Sequence, residues 1–153
     1  MKLKWVIPAI FGVVLTNMAF AAESNQDISI GLLGGAAVGI TNSGSSGNYG
    51  LDVDYKLAPN WSIGAEYRYV LSSQNSHVLV KGDYWFDNSF SAGLLAGLVF
   101  TSPAYFQLVP EVGYDFALGS GFSIGPKIEL PITFQTSTTT VSSAFFAVLK
   151  YVF

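Results

Sequence analysis

The sequence predicts an all-β protein, an eight-stranded antiparallel up-and-down barrel whose strands cross a membrane. Three observations support this fold class. Of 153 residues, 50% are hydrophobic and only 11% are charged, whereas an ordinary soluble domain has about 25% charged residues. Beyond the first 22 residues, no apolar run reaches the roughly 18 residues that a membrane helix needs. Polarity instead alternates from residue to residue, which is typical of strands with two different faces.

The N-terminal segment is predicted to be an export signal that is removed before folding. Lys2 and Lys4 form a basic start, an apolar stretch follows, and Ala19-Phe20-Ala21 is a small-x-small cleavage sequence. The alternative, an uncleaved membrane helix, is disfavoured by the polar run that follows at once. The predicted division is a secretory signal peptide over residues 1–21, cleaved after Ala21 or Ala22, and a barrel domain over residues 22–153.

Seven breaks divide the remaining chain into eight strands. Strands with such short connections are antiparallel neighbours. Three breaks are tight and suited to turns, at residues 58–60, 87–89 and 119–121. Four are longer and rich in Ser, Thr, Asn and Gln, at residues 41–48, 72–76, 101–104 and 135–140. The predicted strands cover residues 27–40, 49–57, 61–71, 77–86, 90–100, 105–117, 122–134 and 141–153.

Each predicted strand has one apolar face and one face of a different character. The first and fifth carry glycines on the second face, at Gly31, Gly35, Gly39, Gly93 and Gly97. As helices these two segments would be too short to span a membrane, so their G-x-x-x-G patterns are incidental. The second strand opposes Tyr49, Leu51, Val53, Tyr55 and Leu57 to Gly50, Asp52, Asp54 and Lys56. The third opposes Trp61, Ile63, Ala65, Tyr67 and Tyr69 to Ser62, Gly64, Glu66 and Arg68.

The remaining strands repeat this contrast. In the fourth, His77 and Lys81 alternate with Val78 and Val80. The sixth opposes Phe106, Leu108, Pro110, Val112, Tyr114 and Phe116 to Gln107, Glu111, Gly113 and Asp115. The seventh opposes Phe122, Ile124, Pro126, Ile128, Leu130, Ile132 and Phe134 to Ser123, Gly125, Lys127, Glu129, Pro131 and Thr133. The last alternates from Phe145 to Phe153.

The apolar face is predicted to point outward, toward lipid. A soluble barrel would have no reason to ring both rims with outward aromatics, yet aromatic residues cluster at both ends of the predicted strands, as at two membrane interfaces. One set lies beside the tight turns and the C-terminus: Trp61, Phe86, Phe90, Phe116, Phe122 and Phe153. The other lies beside the longer loops: Tyr69, Phe100, Tyr105, Phe106 and Phe134.

Three prolines, Pro110, Pro126 and Pro131, fall inside predicted strands. A closed barrel has no free edge where a missing N–H is harmless, so these positions predict bulges or strand ends.

The inward face holds seven acidic and five basic residues. An eight-stranded lumen is just wide enough to be filled by side chains, and unpaired charges there would be costly, so we expect a salt-bridge network. The functional alternative is a narrow, cation-favouring conduit. The predicted network contains Asp52, Asp54, Lys56, Glu66, Arg68, Lys81, Asp83, Glu111, Asp115, Lys127, Glu129 and Lys150.

The C-terminal strand resembles that of Gram-negative outer-membrane proteins, which end in an aromatic residue with apolar residues at every second position upstream. Here these positions are Phe145, Ala147, Leu149, Tyr151 and Phe153. In its architecture the whole predicted barrel domain resembles the small barrels of the OmpA/OmpX/opacity type.

This resemblance implies a location and partners. The chain is expected in the cell outer membrane after export through the Sec pathway, in contact with outer-membrane lipid and lipopolysaccharide. Both termini and the tight turns would face the periplasm, and the longer loops the outside. The barrel-assembly machinery would recognise Phe145, Leu149, Tyr151 and Phe153. The loops are short, with few charges or aromatics to grip a partner, which disfavours adhesion or invasion.

No enzyme is predicted. Some small outer-membrane barrels modify lipid A with a His and a Ser at the outer rim, and His77 lies beside Ser72, Ser73 and Ser76. Its parity is inward, however, its spacing differs from the His-x-Ser pattern of the deacylases, and no third group that would orient it is evident. We therefore expect His77 to be a polar residue at the border of strand and loop.

The sequence also predicts no metal, cofactor or nucleic acid. One His, no Cys and no carboxylates at ligand spacing leave no metal-binding pattern. No Gly-rich phosphate loop is present, and the Lys-poor loops disfavour nucleic acid. The predicted role is that of a non-catalytic structural or surface-interaction protein with a filled lumen. A minor narrow pore is the alternative, and a lipid A-modifying enzyme is disfavoured.

Overall fold

The computed structural model describes residues 28–41, 44–87 and 89–153. The predicted signal peptide and its cleavage site lie outside these residues, as do two residues of the first longer loop and one of the second tight turn. Within the described ranges, no helix is long and apolar enough to cross a membrane.

The chain forms one antiparallel sheet that closes on itself. Short interruptions divide two of the crossings, so that β6 with β7, and β8 with β9, each make a single crossing and the barrel has eight. The predicted fold class is thereby confirmed. The elements are β1 (Ile28–Gly39), β2 (Ser45–Ala58), β3 (Trp61–Val70), β4 (Asn75–Trp85), β5 (Phe90–Phe100), β6 (Tyr105–Tyr114), β7 (Phe116–Gly119), β8 (Phe122–Glu129), β9 (Ile132–Phe134) and β10 (Thr139–Val152).

Closure depends on the first and last strands. β1 pairs with β10 from Ser29↔Val152 to Gly39↔Ser142, without a shift in register. Each of the eight crossings in the described chain therefore has a neighbour on both sides, and the barrel presents no long free edge that could pair with another chain. The remaining strands pair in chain order, which is the up-and-down topology that the short connections predict.

The first longer loop is shorter than predicted. Residues 45–48 lack the alternation of polarity that marks a strand, and the sequence assigns them to the loop. Their backbone nevertheless pairs with β1, from Val38↔Ser45 to Gly35↔Asn48. The neighbouring strand imposes extended structure on a segment whose side chains do not indicate it.

The third tight turn requires unusual backbone angles. Gly119, Ser120 and Gly121 have φ values of +95°, +54° and +80°. Glycine adopts this left-handed region readily because it has no Cβ, and the two glycines flank the one residue that bears a side chain. The turn therefore depends on its glycines.

The prediction of bulges at the prolines is wrong for Pro110 and Pro126. Both lie inside strands, and the register does not shift at either. The bulges of the described chain lie instead near tight turns, between Lys56 and Ala58 and between Ala117 and Gly119.

Pro131 does interrupt a strand, between β8 and β9. The Ser142 N–H donates to the Pro131 carbonyl at 3.0 Å, and the Leu130 N–H donates to the Pro110 carbonyl at 2.9 Å. Two residues that form a hydrogen-bonded pair in an antiparallel sheet normally exchange two N–H···O bonds. Proline has no N–H, so each of these two pairs has one bond instead of two. The ladder therefore loses bonds at this point although the register continues through it.

The two faces of the barrel differ as predicted, with one addition. Large apolar side chains on the outer face are exposed, as at Leu32, Val80 and Leu94. The inner face holds charges and glycines and, in addition, two apolar clusters that the parity argument did not single out. One consists of Leu79, Leu95 and Val109, and the other of Leu33, Ala144, Phe146 and Val148.

Aromatic rings lie on the outer surface at both ends of the barrel. At the turn end, Trp61, Tyr84, Phe86 and Phe90 form successive ring contacts with centroids 5.1–5.2 Å apart. Further contacts at this end join Tyr114 to Phe116, Phe122 to Tyr151, and Tyr151 to Phe153. At the loop end the pairs are Tyr49 with Tyr69, and Phe106 with Phe134. Two such girdles are typical of membrane barrels.

Candidate functional site: the barrel lumen

Charged side chains occupy the middle of the lumen. Nine of the twelve residues in the predicted network are buried: Asp52, Asp54, Glu66, Arg68, Lys81, Asp83, Glu111, Lys127 and Glu129. The other three, Lys56, Asp115 and Lys150, lie closer to the tight turns and are partly buried. The nine buried residues come from five different strands, and alternation aims each of them inward.

The first charge group surrounds two cations. Arg68 contacts the carboxylates of both Glu66 and Glu129, and its Nη2 lies 2.7 Å from Glu129 Oε2. Lys127 Nζ lies 2.5 Å from Glu66 Oε2, 3.1 Å from Glu111 Oε2 and 3.2 Å from Glu129 Oε1. Arg68 and Lys127 thus share two of the three glutamates, which makes the group one connected network.

The three glutamates resemble a cation site, because one carboxylate oxygen from each lies within 4.8 Å of the others. The Lys127 ammonium is within 3.2 Å of all three. A metal ion at this position would have to displace a buried ammonium, so the arrangement is a cage for Lys127.

The second charge group is centred on Lys81. Its Nζ lies 2.8 Å from Asp54 Oδ1, 3.1 Å from Asp52 Oδ2 and 3.4 Å from Asp83 Oδ2. A third, smaller group lies nearer the tight turns, where Lys150 Nζ is 3.1 Å from Asp115 Oδ2 and 5.1 Å from the centre of the Trp85 ring. The buried part of the lumen therefore holds six carboxylates and three cationic groups among the described residues.

Glycines make room for these charges. Gly31 stands opposite Asp52, Gly64 opposite Asp54, and Gly93 opposite Asp83 in the strand pairing. A Cβ on these glycines would lie only 1.8, 2.4 and 1.9 Å from the Oδ1 atom of the facing aspartate. Each carboxylate thus fills the space that a side chain on the neighbouring strand would need.

Two cavities open at opposite ends of this packed middle. The loop-end cavity has a volume of about 350 Å³ and is lined chiefly by Ser, Thr, Asn and Gln, with Arg68 and His77. The turn-end cavity has a volume of about 420 Å³ and is lined by Asp54, Lys56, Asp115 and Lys150 among others. The buried charges and apolar clusters lie between the two.

A row of hydrogen bonds runs along the loop-end cavity. His77 Nδ1 lies 3.0 Å from Gln107 Oε1, and Gln107 Nε2 donates to Thr133 Oγ1 at 2.8 Å. The sequence places His77 at the border of strand and loop with inward parity, and it is buried there against Gln107. Gln107 and Thr133 were missed as site residues, although their inward parity was a usable signal.

The turn-end cavity includes one carboxylate with well-defined backbone partners. The N–H groups of Phe90 and Ser89 each donate to Asp87 Oδ1 at 2.7 Å. These two bonds, that of Phe90 foremost, lower the pKa of Asp87 below its ordinary value because they favour the ionised form. Asp87 therefore carries its charge at neutral pH at the mouth of this cavity.

The predicted assembly residues share one surface. Phe145, Leu149, Tyr151 and Phe153 lie on the outer face of β10 or just beyond its end, and Phe145 and Phe153 are more than half exposed. β10 is paired on both sides, with β1 and with β8 and β9.

An eight-stranded closed barrel with an apolar outer surface, two aromatic girdles and a charged interior is the fold of the small transmembrane β-barrels. The chain is similar to three solved barrels of this class. Neisserial surface protein A (NspA) matches with a TM-score of 0.63 and 12% identity, over 85% of this chain and 98% of its own.

The other two come from Pseudomonas aeruginosa and Yersinia pestis. The N-terminal β-barrel domain of OprF matches with a TM-score of 0.57 and 11% identity, over 82% of this chain and 97% of that domain. Ail, the attachment invasion locus protein, matches in its complex with the heparin analogue sucrose octasulfate, with a TM-score of 0.53 and 12% identity, over 84% of this chain and 97% of its own. No family model and no curated protein matches the sequence.

Proposed function

We propose that this chain is a non-catalytic integral protein of the outer membrane, which reaches it by Sec export and acts through its loop end in surface interaction or as a structural component. The lumen serves as a plug. Lipid and lipopolysaccharide contact the outer face, and the barrel-assembly machinery reads the C-terminal strand. The longer loops face the outside and the tight turns the periplasm.

The proposal that the lumen is closed rests on the packed layer of side chains between the two cavities. Arg68, Glu66 and Glu129 are each about 1% exposed, and Leu79, Leu95 and Val109 are fully buried beside them. Moving one partner of a buried ion pair away costs roughly 3–5 kcal/mol. A layer built from several such pairs favours a closed lumen.

Planar-bilayer recording tests the plug. We expect the barrel, purified from outer membranes and shown to be folded by its migration without boiling, to give no discrete current steps. Reproducible steps from the folded protein would overturn the plug and favour the second candidate, a narrow pore.

The second candidate has one observation in its favour. Cavities open from both ends, and six carboxylates face only three cationic groups in the layer between them, counted over the described residues. A pore through this layer would prefer cations. If the barrel is such a pore, the reversal potential of its current should lie near the equilibrium potential of the cation. Replacing Glu66 and Glu129 by Gln should shift the reversal potential toward the equilibrium potential of chloride.

Surface interaction is supported by the cavity that opens at the loop end. The side chains around this cavity differ from those expected at a site that binds a polyanion. Ail is described in complex with sucrose octasulfate, a ligand that needs accessible positive charge. The four longer loops of this chain contain no Lys or Arg. We expect no binding of sucrose octasulfate at physiological salt, and saturable binding of it would contradict the assignment of an uncharged outer surface.

The absence of catalysis is tested at His77. Among the described residues, the hydrogen-bond partner of His77 is the Gln107 amide and not a Ser or Thr hydroxyl that could serve as a nucleophile. We expect His77→Ala to leave the lipid A profile of expressing cells unchanged. A changed profile would establish a lipid-modifying activity.

A further inference from the structure

We propose that the loop-end cavity binds an uncharged, hydroxyl-rich ligand of the size of a small saccharide. This inference rests on the surface-interaction role proposed above and names the ligand class of that role. The cavity volume of about 350 Å³ falls within the range of about 300–1,000 Å³ for small-molecule sites.

The lining excludes charged ligands. Among the described residues that line this cavity, Arg68 is the one with a permanently charged side chain. Its guanidinium is already paired with Glu66 and Glu129, so it offers an incoming anion little uncompensated positive charge. None of these same described lining residues carries a carboxylate, so a cationic ligand would find no counter-charge.

Twelve of the remaining lining residues are Ser, Thr, Asn or Gln, and they stand beside apolar residues such as Val70 and Val99. Side chains of Ser, Thr, Asn and Gln both donate and accept hydrogen bonds, as the hydroxyl groups of a sugar do. Asn48 and Gln107 are 5% and 3% exposed, so these amides are held by the barrel wall. Because β-strands rather than mobile loops position them, little ordering remains to be done on binding.

The row from His77 through Gln107 to Thr133 is the most specific part of the site. Its two internal bonds fix the orientation of the Gln107 amide, with Oε1 toward His77 and Nε2 toward Thr133. A buried polar row of this kind binds well only a partner that continues its hydrogen bonds, since an apolar partner would leave its groups unsatisfied. The row therefore selects for hydroxyl groups.

The test uses two probes that differ chiefly in charge at one end, maltose and its oxidised, anionic counterpart maltobionate. The whole gene is expressed, and the barrel is purified from outer membranes into an amine-oxide detergent, because glycoside detergents carry a sugar headgroup. Side-chain amide signals of Asn48 and Gln107 are followed by NMR, and loss of one signal in Gln107→Leu identifies it. We expect maltose to shift both signals with a Kd of about 1–10 mM, and maltobionate to shift them much less.

Variants distinguish binding at a specific site from nonspecific entry of the sugar into the cavity. Thr133→Val keeps the shape of the side chain but removes its hydroxyl, and we expect about tenfold weaker maltose binding, as for Gln107→Leu. Ser123→Ala, a matched loss of a hydroxyl in the turn-end cavity, should leave binding unchanged.

Three results would overturn the proposal: no shift from maltose in a barrel that migrates as folded, equal shifts from maltobionate, or equal weakening by Ser123→Ala. None of them would bear on the plugged lumen or the outer-membrane location, which the current recordings and membrane fractionation test separately. Conversely, a conducting barrel that still bound maltose would overturn the plug and leave this site standing.

Discussion

At the scale of residues, the main feature of this barrel is the pairing of buried carboxylates with glycines across strands. Alternation of polarity predicts which residues face inward, because it depends only on neighbours in the chain. It does not predict which charges meet. Arg68 and Glu129 lie on β3 and β8, and their 2.7 Å contact depends on the register of the whole barrel.

A matched pair of glycine substitutions in β1 tests this packing. Gly31→Ala would place a Cβ 1.8 Å from Asp52 Oδ1 and force that carboxylate out of the position in which it contacts Lys81. We expect the free energy of unfolding in lipid vesicles to fall by about 1–3 kcal/mol, as for other overpacked interiors.

The control is Gly34→Ala, three residues further along the same strand. Its Cβ would meet no atom within 4 Å, and removing a strand glycine is favourable by up to about 1 kcal/mol. Urea titration of the two variants should therefore give changes of opposite sign. Equal effects would show that the glycines do not serve to accommodate the charges.

At the scale of elements, local sequence signals located most of the crossings to within a few residues and were weakest where side chains carry no pattern. The segment 45–48 became strand because β1 offered it partners. Pro110 and Pro126 were tolerated in strands because losing one hydrogen bond does not break a register held by many others. Both effects arise from the hydrogen bonds to neighbouring strands, and the local sequence contains no signal of them.

The C-terminal strand offers a prediction about assembly. If Phe153 is part of a recognition signal, Phe153→Ser lowers the amount of barrel in the outer membrane several-fold while leaving refolding from urea into detergent nearly unchanged. The Phe153 side chain is 61% exposed and contributes little to the interior. Immunoblotting of membrane fractions, beside in vitro refolding, measures the two effects.

The neighbouring Val152→Ser is the control for that experiment, because Val152 lines the turn-end cavity rather than facing lipid. It should leave the membrane level unchanged. If both variants lower the level equally, or if Phe153→Ser also fails to refold in detergent, the signal is not specific to the terminal aromatic.

At the scale of the whole molecule, an apolar exterior and a polar interior reverse the usual arrangement of a soluble protein. The small share of charged residues, the alternation of polarity and the aromatic residues at both ends of the strands were enough to predict this. The two cavities and the row of His77, Gln107 and Thr133 were not predicted, because their assembly requires strands far apart in the chain to be neighbours.

The prediction at this scale concerns migration on a gel. A closed sheet has no free strand edge at which unfolding by dodecyl sulfate could start, so the barrel should stay folded in this detergent until it is boiled. The unboiled protein should therefore migrate differently from the boiled protein on a gel. The protein should also require detergent or lipid to remain dispersed. A folded, monomeric protein in plain buffer would contradict the lipid-facing assignment of the apolar face.

The uncharged loops have a consequence for how the barrel enters a membrane. In the proposed orientation each of the four longer connections has to pass through the hydrocarbon layer. An Arg or Lys side chain exposed to lipid at the bilayer midplane costs about 2–4 kcal/mol in such barrels, and an Asp or Glu less. Residues 41–48, 72–76, 101–104 and 135–140 contain no Asp, Glu, Lys or Arg. The charges near the turn-end mouth, including Asp87, stay on the side from which insertion starts. The distribution of charge thus gives insertion a direction: the neutral end leads and the charged end trails.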